Sequence, residues 1–293
     1  MTSPFLAIDV GASRIKSALI VDGEVREHTP EPVAKDISGL LLQIVATYDR
    51  AAAGKRLAWG LCMPGLIDVS SQTLRYSANF DARDVPVVEL LTATLPRAHV
   101  FVNDLYAAVV GEADGGTLAL LQIGTGIAGR GASAGVPLPG AHGYAGELGH
   151  LRFRPGGEKC PCGNRGCAEA YGGWGGIRRR YENAGRTVDS PAAVLKDARN
   201  DEWARQVLAD ALDAIGLAAS AMVAVFDPGT LRLGGGVAAA WGDTLLASIR
   251  RALEESVLPE LARATRVEGT KLGERASLLG LRALASIEAT SDL

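Results

Sequence analysis

The sequence has no excess of positive charge. It contains 30 lysine and arginine residues against 33 aspartate and glutamate residues, a formal net charge of −3 at pH 7. Because proteins that bind a nucleic-acid backbone present a basic surface, this balance argues against a nucleic-acid partner. No uninterrupted apolar run approaches the roughly 20 residues of a membrane span, and an aspartate at position 9 interrupts any secretory signal. We therefore expect neither a membrane partner nor secretion.

Cysteine is also scarce, with four residues in 293. Three of them lie within eight residues, at 160, 162 and 167, and an odd cluster suits a disulfide framework poorly. The fourth, Cys62, lies in an apolar run, where we expect a core thiol. This usage is typical of a reducing compartment, so we expect a cytoplasmic protein.

Two widespread nucleotide-binding motifs are missing. The sequence has no Walker A pattern, and no Gly-x-Gly-x-x-Gly follows the first apolar run. This excludes P-loop and Rossmann dinucleotide binding. Low-complexity segments and charged tails are absent as well.

What the sequence does contain is an alternation of short apolar runs and amphipathic segments, typical of an α/β protein. Its length and 47% hydrophobic content predict two domains with sizeable cores. Two strand–glycine turn–strand units, at 5–21 and 117–132, favour two domains of one design facing each other across a cleft, although the pattern is common enough to be coincidence. Strands are predicted over 5–10, 15–21, 57–62, 99–102, 118–123, 127–132 and 230–233, and Asp22-Gly23 predicts a hairpin turn after the second of them. Helices are predicted over 38–52, 87–95, 105–112, 171–184, 202–226, 241–257 and 276–288, with a further helix beginning at 190.

A cluster of potential metal ligands lies between Gly140 and Tyr171. It consists of one imidazole and three thiols: His150, Cys160, Cys162 and Cys167. A Cys₃His set of this kind is typical of a closed, tetrahedral structural zinc site. The alternatives are a disulfide with one free thiol, or cysteines that only pack.

Two carboxylates flank these ligands. Glu147 lies three residues before His150, and Glu169 lies two residues after Cys167. A bound metal would fix them relative to each other, and ionised oxygens accept directional hydrogen bonds from the hydroxyls of a polyol. They would otherwise be solvated surface charges.

Three glycine-containing turns follow predicted strands. Glycines allow backbone N–H groups to approach phosphate oxygens, and Ser13 and Thr125 add hydroxyl donors. Three such turns in an α/β chain favour a nucleotide ligand, and we expect them to lie apart from the zinc loop. The glycines are Gly11, Gly124, Gly126, Gly234, Gly235 and Gly236.

Two aspartates end predicted strands. Asp9 is placed to hold Mg²⁺, through water, or is an ordinary turn residue. Asp104 could accept a hydroxyl proton while that oxygen attacks a γ-phosphorus, or it could cap the helix predicted at 105–112. Asn103 offers a donor and an acceptor to a sugar hydroxyl.

Taken together, these motifs resemble the ROK family (repressors, open reading frames, kinases) over nearly the whole chain. The segments that carry the resemblance are Gly-Glu-Leu-Gly-His at 146–150, the cysteine segment 160–169, the loops 9–14 and 124–126, Asn103-Asp104, and 227–236. The resemblance implies an α/β, actin-like and hexokinase-like ATPase (ribonuclease H-like) fold with an interdomain cleft. The small lobe would comprise 1–114 plus 275–293, and the large lobe 115–274 with the zinc loop 140–171.

The same resemblance implies residue roles and partners. Asp104 would be the catalytic base, Mg²⁺ would accompany ATP, and zinc would be structural in a homodimer or homotetramer. His150 would contact the sugar while also ligating zinc. Sugar-binding residues would be Asn79, Asn103, Asp104, Glu147, His150 and Glu169. ATP and phosphate would contact Asp9, Gly11, Ser13, Arg14, Gly124, Thr125, Gly126, Gly234, Gly235 and Gly236.

We therefore expect a kinase that transfers the γ-phosphate of ATP to the 6-hydroxyl of a hexose, glucose first. Other acceptors remain open: an N-acetylhexosamine, mannose, fructose or a valiolone-type cyclitol. Leu105-Tyr106 departs from the usual Ala-Asn of the family, which leaves the substrate open but not the reaction type. A sugar-sensing regulator is disfavoured, because the first phosphate loop begins only nine residues into the chain. This leaves no room for the N-terminal helix-turn-helix domain that the family's repressors carry. A zinc-dependent nucleic-acid module has support only from Arg152, Arg154, Lys159 and Arg165.

Overall fold

The computed structural model describes residues 3–291, with side chains as far as Ile287, and it is a mixed α/β fold. The strands are β1 Phe5–Val10, β2 Arg14–Val21, β3 Glu24–Glu27, β4 Glu31–Pro32, β5 Ala58–Met63, β6 Leu66–Asp68, β7 Thr73–Ser77, β8 Ala82–Val85, β9 Val100–Asn103, β10 Thr117–Ile123, β11 Ile127–Ser133, β12 Val136–Pro137, β13 Thr230–Gly234 and β14 Arg266–Gly269. The helices are α1 Ile37–Ala52, α2 Val87–Thr92, α3 Asp104–Glu112, α4 Glu169–Gly172, α5 Trp174–Asn183, α6 Pro191–Asp197, α7 Glu202–Phe226, α8 Gly235–Ser256, α9 Pro259–Ala264 and α10 Ala276–Ser291, with 3₁₀ turns at Leu148–His150 and Gly273–Arg275.

The first compact unit extends from the N-terminal residues to Glu112 and takes in Pro139–Ala145 and the segment from Glu274 onward. Its main sheet has the order β3-β2-β1-β5-β9, with β4 also paired to β2. β1, β5 and β9 are parallel, so their carboxyl ends lie at one edge of the sheet. Asp9 and Asn103 are therefore presented at the same edge.

Local signals account for the start of this unit. The predicted Asp-Gly hairpin turn is confirmed: Asp22 and Gly23 have φ of 50° and 85°, as a two-residue turn between β2 and β3 requires. Helix α1 begins after Asp36, whose side chain accepts a hydrogen bond from the Gly39 N–H. Cys62 is fully buried in β5, which confirms the prediction of a core thiol.

The last helix packs on the first unit through glycines. α10 lies against α3, β1 and β5. A Cβ atom on Gly280 would lie 1.8 Å from the carbonyl oxygen of Ala107, and one on Gly111 would lie 1.9 Å from that of Ala276. The two helices can approach this closely only because both positions lack a side chain.

The second unit comprises Ala113–Leu138 and Gly146–Gly273. Its sheet has the order β12-β11-β10-β13-β14, with β10, β13 and β14 parallel. The order and the pairing pattern repeat those of the first sheet, as the two strand–glycine turn–strand units indicated. The carboxyl ends of β10 and β13 carry Gly124 and Gly235 at one edge.

Helix α7 forms the centre of the second unit. Among the described residues it is the one helix long and apolar enough to cross a membrane by length and composition. Its most apolar window has a mean hydropathy of 1.7 and is 61% buried. The expectation from the sequence concerned uninterrupted apolar runs and did not anticipate α7, in which Asp210 and Asp213 interrupt the apolar run without ending the helix. The burial identifies α7 as a core helix.

Three predicted helices differ from the structure. The segment 171–184 is two helices, because Gly173 is extended, with φ −75° and ψ 145°. The helix predicted from 241 begins at Gly235, and the predicted start coincides with a kink at Gly242. α2 ends at Thr92 rather than at 95. The sheet β6-β7-β8 was not predicted, since its strands are three to five residues long and mix polar with apolar side chains.

Candidate active site and metal centre

Asp9 lies at the carboxyl end of β1 with its carboxylate fully engaged. One oxygen accepts from Lys16 Nζ at 2.9 Å and from Ser277 Oγ at 2.6 Å, and the thiol of Cys62 lies 3.5 Å from the other. Burial alone lowers the pKa of Lys16, but the charge and hydrogen bond of Asp9 outweigh it and raise that pKa overall. The carboxylate of Asp9 is thus held in a buried ion pair with Lys16.

Asp104 begins α3 at the same sheet edge. Burial, reinforced by the negative charge of Asp9, raises the pKa of Asp104 to about 6. Its Oδ1 accepts from the Leu105 N–H at 2.9 Å, which opposes part of this shift. A carboxyl group with this pKa is ionised near neutral pH and is a stronger base than an ordinary aspartate.

Asn103, rather than Asp104, supplies most of the cap of α3. Its Oδ1 accepts from the N–H groups of Leu105 and Tyr106 at 3.0 and 3.3 Å, and its Nδ2 donates to the Gly65 carbonyl at 3.1 Å. The amide therefore already uses a donor and its acceptor within the first unit, and only its second N–H is left for a ligand.

The other candidates of the first unit lie in two turns, one between β1 and β2 and one between β7 and β8. Gly11 donates its N–H to the Arg14 carbonyl at 2.8 Å, which closes the turn between β1 and β2. Ser13 and Arg14 are exposed, and Arg14 lies 3.7 Å from Glu274. Asn79 is exposed in the turn after β7.

The four predicted metal ligands come together in the second unit. One ligand atom from each of His150, Cys160, Cys162 and Cys167 lies within 4.8 Å of all the others. Cys162 Sγ is 3.7 Å from Cys167 Sγ, and Cys160 Sγ is 3.7 Å from His150 Nδ1. Zinc–sulfur bonds of about 2.3 Å at a tetrahedral angle place two sulfurs about 3.8 Å apart. The donor set and its spacing therefore fit tetrahedral zinc.

His150 presents its second ring nitrogen to the sugar-binding candidates. Nδ1 faces the thiol of Cys160, whereas Nε2 lies 3.7 Å from a carboxylate oxygen of Glu147. With Nδ1 on a metal, Nε2 carries the proton and becomes a donor. Half of the Glu147 side chain is exposed, so its carboxylate can accept from a ligand.

Glu169 joins the metal-ligand loop to the second glycine turn, which corrects the expectation that they lie apart. Its Oε2 accepts from the Ile127 N–H at 3.0 Å, and its Oε1 lies 3.9 Å from Cys160 Sγ. A Cβ atom on Gly126 would lie 2.2 Å from Oε2. Gly126 is therefore required for the position of this carboxylate, whatever it also offers a phosphate.

The helices after the loop continue this connection. The N–H of Trp174 donates to the Gly124 carbonyl at 2.8 Å, and that of Gly175 donates to the Thr125 carbonyl at 2.9 Å. The start of α5 thereby fixes the backbone of the turn, with Thr125 exposed at its tip.

The third glycine group is a helix start rather than a loop. Gly234 ends β13, and Gly235 and Gly236 are the first residues of the 22-residue helix α8. Gly235 has φ 89°, and a Cβ atom there would lie 2.4 Å from the Ile123 carbonyl oxygen. The free N–H groups of a helix start suit a phosphate.

Sequence reasoning missed the partners of Asp9. Asp9 and Lys16 are cross-strand partners in the β1–β2 pair, so this contact could have been counted from the tight turn that joins the two strands. Ser277 had no such signal, because it lies 268 residues away.

The model of the ROK family matches residues 5–288. A glucokinase from Halalkalibacterium halodurans is 30% identical, over 94% of this chain and 93% of its own. An N-acetylmannosamine kinase from Escherichia coli O157:H7 is 28% identical over 69% of this chain and 72% of its own. The structure of a ROK hexokinase from Thermus thermophilus superposes with a TM-score of 0.84 at 28% identity, covering 98% of this chain and 99% of its own.

Proposed function

The chain belongs to the ROK family and is an ATP-dependent sugar kinase, and we propose that it transfers the γ-phosphate of ATP to the 6-hydroxyl of a hexose, with glucose as the first acceptor. The glucokinase that matches almost the full chain supports this acceptor. An N-acetylhexosamine is the second candidate, because the N-acetylmannosamine kinase matches two thirds of the chain.

The observation that carries the proposal is the carboxylate of Asp104. It lies at the same sheet edge as Asp9, and burial together with the charge of Asp9 raises its pKa to about 6. In the proposed step, Asp104 accepts the proton of the sugar hydroxyl while the hydroxyl oxygen attacks the γ-phosphorus and ADP leaves. Asp9 cannot share this role, because Lys16 and Ser277 occupy its carboxylate.

In this proposal, three side chains of the second unit bind the sugar. Glu147 and Glu169 accept from sugar hydroxyls, and His150 Nε2 donates to one. In the first unit, Asn103 has only a single N–H to offer a ligand, because its oxygen caps α3. Charged acceptors hold hydroxyls more strongly than neutral ones, so these carboxylates supply most of the orientation.

We infer that zinc is held by His150, Cys160, Cys162 and Cys167, whose spacing fits it. When bound, it would act structurally, because four protein ligands leave no position for water or substrate. The loop would then hold His150 and Glu169 in place. MgATP would be the phosphoryl donor, and each of the turns 11–14 and 124–126 and the start of α8 is a candidate to contact its phosphates. A homodimer or homotetramer in the cytoplasm remains a prediction of the sequence.

A substrate panel tests the proposal. The zinc-loaded protein is mixed with MgATP and glucose, mannose, fructose, N-acetylglucosamine, N-acetylmannosamine or a cyclitol, and ADP release is followed. We expect glucose to give the highest kcat/KM and the product to be the 6-phosphate by NMR. Polyphosphate in place of ATP tests the donor. If none of these sugars causes ADP release but calorimetry shows that one of them binds, the protein is instead a sugar-sensing protein.

A further inference from the structure

Asp210, on α7, is a buried carboxylate that the proposed mechanism does not use. Its side chain is 3% exposed. It accepts from Arg154 Nη2 at 2.9 Å, from Arg180 Nη2 at 2.6 Å and from Gln206 Nε2 at 2.9 Å. Burial by itself raises the pKa of Asp210, but these hydrogen bonds outweigh it and hold that pKa below its usual value. A paired buried charge of this kind contributes specificity of arrangement more than net stability.

Arg154 belongs to the loop that carries the metal ligands. Its backbone N–H and that of Phe153 donate to the Gly166 carbonyl at 3.0 and 2.8 Å, and Gly166 directly precedes the ligand Cys167. A Cβ atom on Gly166 would lie 1.7 Å from the Arg154 carbonyl oxygen. The position of Arg154 therefore determines where Cys167 lies.

Arg180 reaches the same carboxylate from α5. Its guanidinium and that of Arg154 each lie 5.2 Å from the centre of the Tyr171 ring. Tyr171 is 2% exposed, and its hydroxyl oxygen accepts from the Glu158 N–H at 2.9 Å. Because Tyr171 lies two residues after Glu169, the same cations also hold the segment that carries this carboxylate.

We propose that Asp210 is a positioning residue that, through Arg154 and Arg180, holds the metal-ligand loop in its ligand-binding arrangement and so directs His150 and Glu169 at the sugar. We call the contacts of Asp210 with Arg154 and Arg180 the anchor, and none of them uses a metal-ligand atom. The anchor therefore acts before metal arrives, by removing part of the ordering that zinc would otherwise impose. The part concerning sugar rests on the proposed function; the part concerning metal does not.

Arg154→Gln is the most informative variant. Arg154 is half exposed, and Asp210 keeps Arg180 and Gln206 as partners, so the substitution detaches the loop without leaving a buried charge unpaired. Arg152→Gln is the matched control, because Arg152 is an exposed cation of the same loop. Arg154→Lys keeps the charge but loses the two-pronged hydrogen bond and should rescue in part.

Zinc release is measured first, with a chromophoric chelator in excess. We expect Arg154→Gln to release zinc about tenfold faster than the wild type, the lower end of what partners of metal ligands contribute. Arg152→Gln should match the wild type. Release from Arg154→Gln at the wild-type rate would overturn the anchor, whether or not the protein is a kinase.

Steady-state kinetics then test the sugar. On zinc-loaded protein, Arg154→Gln should raise the sugar KM about tenfold with kcat changed less than threefold. Asp210→Asn with Arg154→Gln should be non-additive in zinc release, since both act through one contact. Faster zinc release with an unchanged sugar KM would keep the anchor but refute its role in sugar binding. Additive effects would refute the pairing of Asp210 with Arg154.

Discussion

At the scale of single residues, Asp104 combines the raised pKa that suits a proposed general base with a cost in folding stability. Burial and the charge of Asp9 raise its pKa to about 6, whereas the Leu105 N–H lowers it. Asn103 provides the cap of α3 that Asp104 could have provided. Most of the cap therefore comes from Asn103, and Asp104 adds one hydrogen bond from the Leu105 N–H.

The pH profile of the enzyme should report this pKa. Because only ionised Asp104 can accept a proton, kcat/KM should fall below about pH 6 and level off above it. Asp104→Asn should lower kcat by roughly 10²–10⁴ with a smaller change in sugar KM. ADP release across pH 5–8 measures both. Near-normal turnover in Asp104→Asn would show that another group is the base.

The same carboxylate should destabilise the folded protein at high pH. An unperturbed aspartate titrates at 3.8 and Asp104 at about 6, so between these values the folded state binds more protons than the unfolded state. Stability from this group is therefore lost as pH rises through that window. Asp104→Asn should raise Tm at pH 8, with the gain vanishing below pH 4. The exposed Asp243→Asn serves as control, and an equal gain at both pH values would contradict the linkage.

At the scale of elements, the turn 124–126 is a phosphate-binding candidate and also positions the sugar-binding candidate Glu169. Gly126 lacks the Cβ that would collide with Glu169 Oε2, and the N–H of Ile127 holds that oxygen. A change in the backbone of this turn should therefore displace the carboxylate of Glu169. The start of α5 adds two further backbone hydrogen bonds to Gly124 and Thr125.

A pair of alanine substitutions separates these effects. Gly126→Ala should displace Glu169 and raise the sugar KM about tenfold, the cost of a charge-assisted hydrogen bond. Gly124→Ala is the matched variant, because a Cβ atom there meets no heavy atom within 4 Å. Both can affect ATP, but only the first should affect sugar affinity. Equal sugar KM values for the two variants would argue against a sugar-binding role for Glu169.

Loss of the metal should raise the KM values of both the sugar and ATP. Cys162→Ser should lose about one zinc per chain and raise the sugar KM by 10–100-fold. Since Glu169 and α5 connect the loop to the turn at 124–126, we also expect a smaller rise in the ATP KM. Elemental analysis and both KM values on one preparation provide the check. A zinc-free variant with normal affinities would show that this loop does not shape the site.

At the scale of the whole molecule, the last helix closes the first unit. α10 contributes Ser277 to Asp9 and buries Leu278 and Leu281. It crosses α3 where two glycines face two backbone carbonyls, so the crossing has no space for a methyl group. Residues at the two ends of the chain therefore depend on each other.

Gly280→Ala tests this crossing. Its Cβ would lie 1.8 Å from a backbone oxygen, which cannot turn aside as a side chain could. We expect a loss of about 1–3 kcal/mol in the free energy of unfolding, measured in urea. Gly269→Ala, where a Cβ atom meets no heavy atom within 4 Å, should be nearly neutral. Equal stability of the two variants would mean that α3 and α10 can separate without cost.

Much of this architecture follows from local chemistry in the sequence. The strands around Asp9, the Asp22-Gly23 turn, the bounds of α7 and the Ser190–Pro191 start of α6 were predicted, because each depends on neighbours along the chain. The four metal ligands could be proposed together because they lie within 18 residues and share one chemistry.

Contacts between distant segments were decided only by the tertiary structure. Lys16 and Ser277 occupy Asp9, Asn103 takes the cap of α3, and Glu169 reaches Ile127 across 42 residues. The cluster of Arg154, Asp210 and Arg180 likewise joins three segments of the chain. Such contacts arise when packing brings side chains together and burial makes each polar group find a partner, and neither condition is visible in local sequence.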